Sequence, residues 1–536
     1  MRPRTISYLI LSSMTMVTVQ KFCWSHYCIF GRGCISWNSA NEIRSARPDG
    51  SMQDTYWDQY IFILKPLIVC EGESETSCRY LSVLILICVF CIVPATAQTS
   101  NDYWAPWVTK TTTNSSTINW RGENNGSGLI DYATTSYFNQ YHSFEKNISP
   151  QIPALYQHVS LTGLEPNTSY TYWVRPSGNE SAFRNRTFRT MPVSGPFTFL
   201  VVCDSQEGSH YFETKRFKYV ADAMANETGV LFILHGGDFA RFDYEPDWTI
   251  FFQLADRMLA NCTIFPTIGN HEYHNYTNQK STPTPADQYH WVFDMPLNYS
   301  FDCAGIRFIS LDSPDPNNAN YDDPQTSLAL AQSQASWLQT QLDNNMLGTF
   351  TIHHHPIWHY GSSTMNSNLA PWENLYHAYN ISANFAGHVH NYERLNVSGI
   401  PYFIVGIGGG ECQDMNSTNP YPVWYQFGMT RVLGYLKVTV DPANNTATAW
   451  EISVGTVKED DDNETPMIYP KPVINDAITF HLKANESPTP TPVPTSCCHA
   501  NTTINKENLK IGNKHAEAYG SGSATNNISI VTSQGP

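Results

Sequence analysis

The chain has 536 residues, of which 41% are hydrophobic and 13% aromatic, so it can bury the cores of two or three domains. Its formal net charge is -16, and it has only 31 Lys and Arg residues. Because binding to a nucleic-acid backbone depends on clustered cations, we expect no nucleic-acid partner. The acidic charge is usual for a solvated surface and indicates no particular function.

The first hundred residues contain a segment that resembles a signal peptide. The apolar residues 81–93 precede Ala95-Thr96-Ala97, a small-residue pattern typical of a cleavage site, so we predict a signal over 79–97 and a secreted or cell-surface protein. Residues 1–78 are an uncertain extension with three interpretations: translation that begins downstream, for example at Met52, which we prefer, a short membrane anchor, or a real N-terminal region. The apolar run is shorter than the roughly 20 residues that span a bilayer, so we expect no stable membrane insertion after cleavage.

Cysteines and glycosylation sequons agree with export. In an oxidising compartment Cys262 and Cys303 are candidates for a disulfide, whereas Cys203 lies in an apolar run and is expected to be a buried free thiol. Sequons of the type Asn-x-Ser/Thr, which mark N-glycosylation acceptors, recur at Asn114, Asn167, Asn226, Asn261, Asn298, Asn396 and Asn501. We therefore expect a glycoprotein.

Residues 101–193 have the pattern of a small all-β domain. Short alternating stretches are separated by clusters of turn-forming residues. The predicted strands include Ser116–Trp120, His158–Leu161 and Tyr170–Val174, and the predicted turns are Asn124-Asn125-Gly126 and Glu165-Pro166-Asn167. Because no catalytic cluster lies here, we expect a packing or spacer domain.

In residues 196–484 the pattern differs from that of the β domain and predicts strands that alternate with helices. The periodicity predicts strands at Phe197–Cys203 and Val230–Leu234 and helices at Tyr211–Asn226 and Leu328–Asn344. Residues 485–536 then begin with a Pro/Thr-rich run and continue into a polar end, which predicts a stiff linker and a disordered tail. The middle of the chain is therefore a mixed α and β domain.

Five short blocks of metal-binding side chains follow apolar runs in this domain. They are Cys203-Asp204-Ser205-Gln206, Gly237-Asp238, Gly269-Asn270-His271-Glu272, His353-His354-His355-Pro356 and Gly387-His388-Val389-His390. Each block alone is weak evidence, but five in one order are hard to obtain by chance. Since open sheets carry their sites at the carboxyl ends of strands, the blocks predict a centre with two metal ions.

The residue types in the blocks suit such a centre. Two ions that lie about 3.5–4 Å apart need a carboxylate between them, and Asp238 is the candidate for that bridge. Imidazole nitrogens from His354, His388 and His390 suit iron, zinc or manganese, and Asn270 adds a neutral oxygen that keeps the negative charge low. The resulting balance of charge favours an anionic substrate.

The ordered blocks resemble those of the calcineurin-like metallophosphoesterases over roughly residues 101–484. The segments most similar to purple acid phosphatases are Gly387–Arg394, Leu311-Asp312-Ser313, Trp337-Leu338 and Gly406–Gly410, and His158–Tyr170 resembles the fibronectin-III-like domain that precedes their catalytic domain. The resemblance implies an α+β protein: an all-β fibronectin-III-like sandwich followed by a four-layer α/β/β/α metallophosphoesterase domain.

The resemblance also implies roles for individual residues. Asp204, Asp238 and His390 would hold one metal, and Asp238, Asn270, His354 and His388 would hold the other. His271 would contact phosphate or donate a proton.

Two positions depart from the purple acid phosphatase pattern. Arg241 stands where that family has a metal-binding Tyr, whose phenolate gives the colour, and Gln206 stands where purple enzymes have Gly and many other metallophosphoesterases have a His ligand. We expect a colourless site whose first metal is held more weakly and need not be ferric iron. Gln206 either donates its amide oxygen to that metal or leaves the position to water.

We therefore expect a secreted phosphoester hydrolase, most similar to an acid phosphatase, that acts on small phosphate monoesters. It would use two metal ions, which are Fe, Zn or Mn, and a metal-activated hydroxide. Arg241 would either bind phosphate or pair with Asp243. His355 and His359 follow a ligand, and His359 is the preferred substrate contact.

Two alternatives from other classes remain. A phosphodiesterase or a nucleotide-cleaving enzyme would use the same metal pair, because the walls of the pocket decide the substrate. A non-catalytic surface adhesion protein would account for the β domain, the Pro/Thr linker and the altered first site.

Overall fold

The structure is a computed structural model of the chain. It describes residues 27–30, 33–36, 104–176, 185–206, 215–275, 280–281, 286–313, 328–360, 365–415, 421–458 and 465–483. The chain forms two compact units, Met1–Thr99 and Ser100–Pro536. In the first unit the described part is a hairpin of the antiparallel strands β1, Tyr27–Phe30, and β2, Gly33–Ser36. The predicted signal at 79–97 and the predicted tail at 485–536 lie outside the described residues. Within the described ranges, no helix is long and apolar enough to cross a membrane.

An all-β sandwich occupies the start of the second unit. Its described strands are β3 Trp104–Thr109, β4 Ser115–Gly126, β5 Leu129–Thr134, β6 Lys146–Ile148, β7 Ala154–Thr162, β8 Ser169–Arg175 and β9 Arg186–Arg189, and the helix α1, Thr135–Tyr141, follows β5. One face is β3-β4-β7 and the other is β6-β5-β8-β9. Alternate residues of both faces, such as Ile118, Trp120 and Tyr172, are buried between them. The predicted sandwich is thereby confirmed.

Of the two turns that we predicted in the sandwich, the structure contains one. The predicted turn at Glu165-Pro166-Asn167 is present, and the backbone nitrogen of Glu165 donates to the Tyr170 hydroxyl at 2.8 Å. The predicted turn at Asn124-Asn125-Gly126 is wrong, because strand β4 continues through it. The pairing of β4 with β7 shifts register between Arg121 and Gly126, so a bulge takes up the turn-forming residues.

The second domain contains the remaining strands and helices. Its described strands are β10 Phe197–Val202, β11 Val230–His235, β12 Thr263–Pro266, β13 His274–Asn275, β14 Lys280–Ser281, β15 Tyr299–Cys303, β16 Ile306–Ser310, β17 Gly348–Ile352, β18 Ala383–Ala386, β19 Tyr392–Val397, β20 Ile400–Val405, β21 Tyr425–Met429, β22 Val432–Asp441, β23 Thr446–Thr456 and β24 Met467–His481. Its described helices are α2 Arg216–Ala225, α3 Glu245–Leu259, α4 Asp287–Phe293, α5 Leu328–Leu342 and α6 Ala370–Ala378, with 3₁₀ turns at His271–Tyr273 and Ser367–Leu369. Apart from the predicted start of α2 at Tyr211, which lies outside the described residues, the four predicted elements agree with these bounds to within two residues.

The strands form two large sheets. The first has the order β24-β23-β22-β10-β11-β12-β3-β4-β7, and the second has the order β15-β16-β17-β18-β20-β19-β21. The two inner faces meet through aromatic rings, since Phe308 lies 5.2 Å from both Phe199 and Phe232 between ring centroids. The core between the sheets is therefore continuous.

Helices cover the outer faces of both sheets. In α2 the residues Phe217, Val220, Ala221 and Met224 recur at helical spacing and are buried, which is why this segment is an amphipathic helix packed on the first sheet. On the other side, residues of α5 and α6 such as Trp372 pack with the second sheet in a separate cluster. The layers α, β, β and α confirm the predicted four-layer fold.

The two domains share a sheet. Strand β3 of the sandwich pairs in parallel with β12 of the second domain, with Val108 opposite Thr263. Separate strand patterns in the sequence do not predict this pairing, which makes the nine-stranded sheet continuous across both domains.

The candidate disulfide between Cys262 and Cys303 is not formed, because both residues are buried free thiols. Cys262 precedes β12 in the first sheet, whereas Cys303 ends β15 in the second. Packed sheets lie about 10 Å apart, which exceeds the Cα separation that a disulfide can bridge. Burial raises the pKa of the Cys262 thiol to about 12. Cys203 is a buried free thiol, as predicted.

The strand order explains why the blocks meet. Strands β10, β11 and β12 run in parallel, and so do β16, β17, β18 and β20. Parallel strands present their carboxyl ends at one edge of a sheet. The residues that follow these ends are Asp204 after β10, Asp238 after β11, Asn270 after β12, His354 after β17 and His388 after β18.

Candidate metal centre

Two groups of donor atoms share the Asp238 carboxylate. Asp204, Asp238 and His390 offer atoms that lie within 4.8 Å of one another, and Asp238, His354 and His388 form a second such group. The carboxylates of Asp204 and Asp238 are almost fully buried. A carboxylate that belongs to two clusters is the geometry of a bridging ligand.

Asn270 joins the second group. Its side-chain oxygen lies 2.9 Å from Nε2 of His354 and 3.0 Å from Nδ1 of His388. Asn270 is almost fully buried, so the close contacts are not screened by solvent. The second group therefore has four members. Asp238 is a carboxylate, and the other three are an amide and two imidazoles, which carry no negative charge.

The orientation of two imidazoles leaves a lone pair facing the carboxylates. Nδ1 of His354 donates to the carbonyl of Gly236 at 2.9 Å, and Nδ1 of His390 donates to the carbonyl of Glu411. In the neutral ring Nε2 is then an acceptor, and in His354 it faces Asp238 Oδ2 at 3.1 Å, a contact that requires either a second proton on the ring or a cation shared by the two atoms. Such converging acceptors need a cation between them, so the residues fit a metal pair.

The pKa values of Asp238 and His354 also reflect the contact between carboxylate and imidazole. Burial acts to raise the pKa of Asp238, but the neighbouring His354 and His271 hold it well below its usual value. Burial acts to lower the pKa of His354, but Asp238 and its hydrogen bond raise it to about 9. The site therefore stabilises positive charge beside Asp238, which is what a bound cation supplies.

The block glycines permit this close approach. A Cβ on Gly269 would collide with the Asp238 carboxylate, and one on Gly387 would collide with that of Asp204. Asp204 and Asp238 themselves have positive φ values of 58° and 57°. Left-handed backbone at residues other than Gly is uncommon and concentrates at functional sites, so the surrounding packing holds both carboxylates in place.

Glu272 is a positioning residue that the sequence analysis left without a role. Its buried carboxylate accepts from the backbone nitrogens of Asp238 at 2.9 Å, Phe239 at 2.8 Å and Gly269 at 2.8 Å. Burial and the charge of Asp238 raise its pKa to about 8. The only signal in the sequence was its place at the end of the block that begins at Gly269.

His271 lies against the bridging carboxylate. Its backbone nitrogen donates to Oδ1 of Asp238 at 3.0 Å, and its Nε2 lies 3.7 Å from Oδ2 of the same residue. Nδ1 donates to the carbonyl of Arg241 at 2.7 Å, which fixes the ring. The structure thus brings His271 to the centre, as its predicted role requires.

Comparison with known proteins identifies both domains. Residues 197–392 match the family model described as calcineurin-like phosphoesterase, and residues 91–190 match the one described as purple acid phosphatase, N-terminal domain. The chain therefore contains a calcineurin-like phosphoesterase domain preceded by a purple acid phosphatase N-terminal domain.

Relatives and solved structures agree with this assignment. Purple acid phosphatase 21 of Arabidopsis thaliana is 27% identical over 279 residues, which cover 47% of this chain and 58% of the relative. A purple acid phosphatase of Glycine max is 27% identical over 356 residues, which cover 60% and 68%. The chain thus spans little more than half of the first of these relatives.

Two solved structures share the fold. The purple acid phosphatase PPD1 from yellow lupin (Lupinus luteus) seeds has a TM-score of 0.53 at 15% identity and covers 71% of this chain and 74% of its own. PhoD has a TM-score of 0.53 at 16% identity and covers 70% and 90%.

At the first metal group, the chain has Gln206. Its Nε2 lies 3.1 Å from Nε2 of His390 and 3.3 Å from Oδ2 of Asp238, while its Oε1 is buried and has no hydrogen-bond partner within the described part of the chain. The oxygen and the nitrogen of a side-chain amide have nearly the same shape, so a rotation by 180° exchanges their positions. With the amide turned by 180°, the oxygen joins the donors of the first group.

The backbone of Arg241 is fixed at the centre through its carbonyl, which accepts from His271. The Asp243 carboxylate accepts from Trp248 Nε1 at 3.1 Å and from the backbone nitrogen of Gln288 at 3.0 Å. Burial raises the pKa of Asp243 to about 7. The role of the Arg241 guanidinium stays a prediction.

The two candidate substrate histidines differ in position. The ring of His355 lies 4.2 Å from that of His388 between centroids, and its Nδ1 lies 3.2 Å from the Ser313 hydroxyl. For His359, burial lowers the pKa, and its Nδ1 is buried without a hydrogen-bond partner among the described residues. The described contacts therefore bring His355 to the centre, and the preference for His359 stays a prediction.

Proposed function

We propose that the protein is an exported phosphoric ester hydrolase that removes phosphate from small monoesters with a pair of metal ions. The observation that carries this proposal is the Asp238 carboxylate, which belongs to both groups of donor atoms. The domains and the relatives named purple acid phosphatase support it. Export would follow cleavage after residue 97.

The proposed ligands divide between two sites. Asp204, Asp238, His390 and the Gln206 amide oxygen would hold the first ion, and Asp238, Asn270, His354 and His388 would hold the second. The mixture of nitrogen and oxygen donors suits iron, zinc or manganese. When bound, the ions polarise the phosphoryl oxygens and lower the pKa of water so that it becomes a nucleophile at moderate pH.

The remaining residues act on the substrate. In its imidazolium form His271 keeps Nδ1–H on the Arg241 carbonyl and would donate the Nε2 proton to a phosphoryl oxygen or to the leaving group. Nε2 lies beside the shared carboxylate, which favours this charged form. The Arg241 guanidinium would pair with a phosphate oxygen, which compensates in part for the absent Tyr. His359 would contact the part of the ester that leaves.

The test compares an aryl phosphate monoester with the matching diester on the purified full-length protein, with the metal content measured on the same sample. We expect about two metal ions per chain and faster hydrolysis of the monoester. Faster hydrolysis of the diester would support the phosphodiesterase alternative. A folded protein without metal and without hydrolysis of either ester would support the adhesion alternative and overturn the proposal.

A further inference from the structure

A cavity of about 370 Å³ lies on the second domain away from the metal centre. It is lined by Glu373 and His377 of α6, by Trp358 and Trp424, and by Asn396 at the end of β19. Asn396 is six residues beyond His390 along mostly extended chain, which places it on the order of 20 Å from the metal ligands. The Asn396 rim of the cavity therefore lies away from the metal ligands.

The rim of the cavity contains a glycosylation sequon. Asn396-Val397-Ser398 precedes a tight turn in which Ser398 and Gly399 have φ values of 52° and 88°. Asn396 is exposed, and its side-chain oxygen accepts from the backbone nitrogen of Gly399 at 2.9 Å. That bond engages the oxygen of the amide and orients the group, and the nitrogen is the atom that carries the sugar in N-glycosylation.

The walls of the cavity suit a sugar ring. Trp358 and Trp424 are half-buried and lie 5.6 Å apart between ring centroids at 59°, so they present two apolar surfaces at an angle. The polar wall is Glu373, which accepts from Trp358 Nε1 at 2.8 Å and from His377 Nε2 at 2.9 Å. A pyranose has apolar C–H faces that pack on indoles and hydroxyls at its edge that reach polar groups.

We propose that Asn396 carries an N-linked oligosaccharide whose innermost N-acetylglucosamine units lie in this cavity against Trp358 and Trp424. The occupant is the chain's own glycan because its point of attachment is on the rim, and tethering gives a high effective concentration there. Val423, which also lines the cavity, is 97% exposed in the bare protein and would be partly covered. The inference rests on the export part of the proposed function and not on its catalysis.

The experiment directs the full chain through the secretory pathway of a eukaryotic host with a heterologous signal, so the result does not depend on residues 79–97. The host makes high-mannose glycans. Glycopeptide mass spectrometry measures occupancy at Asn396, and an endoglycosidase that cuts between the two innermost sugars is then applied to the folded protein. Glycans on the exposed Asn167 and Asn226 serve as references.

We expect Asn396 to be occupied and its glycan to be released about tenfold more slowly than the references, with the difference lost after denaturation. Trp424→Ala should abolish the protection, whereas Trp424→Phe should keep most of it. Trp291→Ala, which removes a half-exposed indole elsewhere, is the control. An unoccupied Asn396, release at the rate of the references, or unchanged protection in a folded Trp424→Ala variant would each overturn the inference.

Phosphatase activity is measured on the same samples. Ser398→Ala removes the sequon without changing Asn396, and we expect unchanged hydrolysis of the monoester with loss of the Asn396 glycan. Failure of the glycan inference is thereby distinguished from failure of the proposed function.

Discussion

The Glu272 carboxylate accepts a hydrogen bond from the backbone nitrogen of Asp238 at 2.9 Å, across 34 residues of sequence. Together with the bonds from Phe239 and Gly269, this contact fixes the loop that presents the shared carboxylate. The outer partners of metal ligands orient them and tune their affinity. We therefore infer that Glu272 positions the shared carboxylate, although it is not a member of either group of donor atoms found among the described residues.

Replacing this carboxylate should weaken metal binding without removing a ligand. In Glu272→Gln one oxygen acceptor becomes an N–H donor that faces other N–H groups, so we expect metal affinity to fall about 10- to 100-fold. Titration of the metal-free protein with Zn²⁺ measures this change. Glu165→Gln in the β sandwich is the control, and equal affinities in the two folded variants would show that Glu272 has no such role.

Removing the shared carboxylate should affect both sites at once. Asp238 belongs to both donor groups, so Asp238→Asn should lose both metals and reduce hydrolysis by more than the roughly 100-fold that outer partners cost. Metal analysis by mass spectrometry and hydrolysis of an aryl phosphate monoester check the two effects. Full retention of metal and activity by the variant would defeat the catalytic interpretation.

Changes at Gln206 should affect one site only. If its amide oxygen binds the first metal, Gln206→Ala lowers the metal content from about two ions per chain towards one, because the donors around Asn270 are untouched. Gln206→His supplies a nitrogen ligand to the first site and should restore the content to about two ions per chain. The measurement is metal stoichiometry after dialysis, and two tightly held ions in Gln206→Ala would rule out the ligand.

The colour of the protein tests the position of Arg241. Since this chain lacks the metal-binding Tyr of the purple enzymes there, the iron-loaded protein should show no strong visible phenolate-to-iron band. Arg241→Tyr should gain such a band when loaded with Fe³⁺, and Arg241→Phe, which has the same ring without the hydroxyl, should not. A strong band in the unmodified protein would contradict the prediction.

Glu451 should make stability depend on pH. Burial raises its pKa from 4.5 to about 7, against hydrogen bonds from Ser453 and Asn475. Because the folded pKa exceeds the unfolded one, this contribution to stability is fully present below pH 4.5 and is lost as the pH rises through 7. We expect the free energy of unfolding to fall more steeply from pH 4.5 to about 8 in the unmodified protein than in Glu451→Gln. Parallel urea denaturation curves at each pH measure both slopes, and equal slopes would contradict the prediction.

Local pattern predicted the regular elements well. The apolar run after Pro196 and the helical spacing in α2 depend on residues that are close in sequence. Both elements could therefore be predicted without any tertiary contact. The turn assigned at Asn124-Asn125-Gly126 failed because its outcome depends on β7, a distant partner strand. Residue type alone does not decide between a turn and a bulge.

The sequence by itself determined which donor types are present and that they follow buried strands, because composition and periodicity are local properties. Its resemblance to purple acid phosphatases also predicted that Arg241 and Gln206 replace residues typical of those enzymes. Only the tertiary structure decided that Asp238 serves two groups of donors, that Glu272 holds its loop, and that Asn396 borders an aromatic cavity. Those facts depend on which strands lie side by side, and that order results from the packing of two sheets around one core.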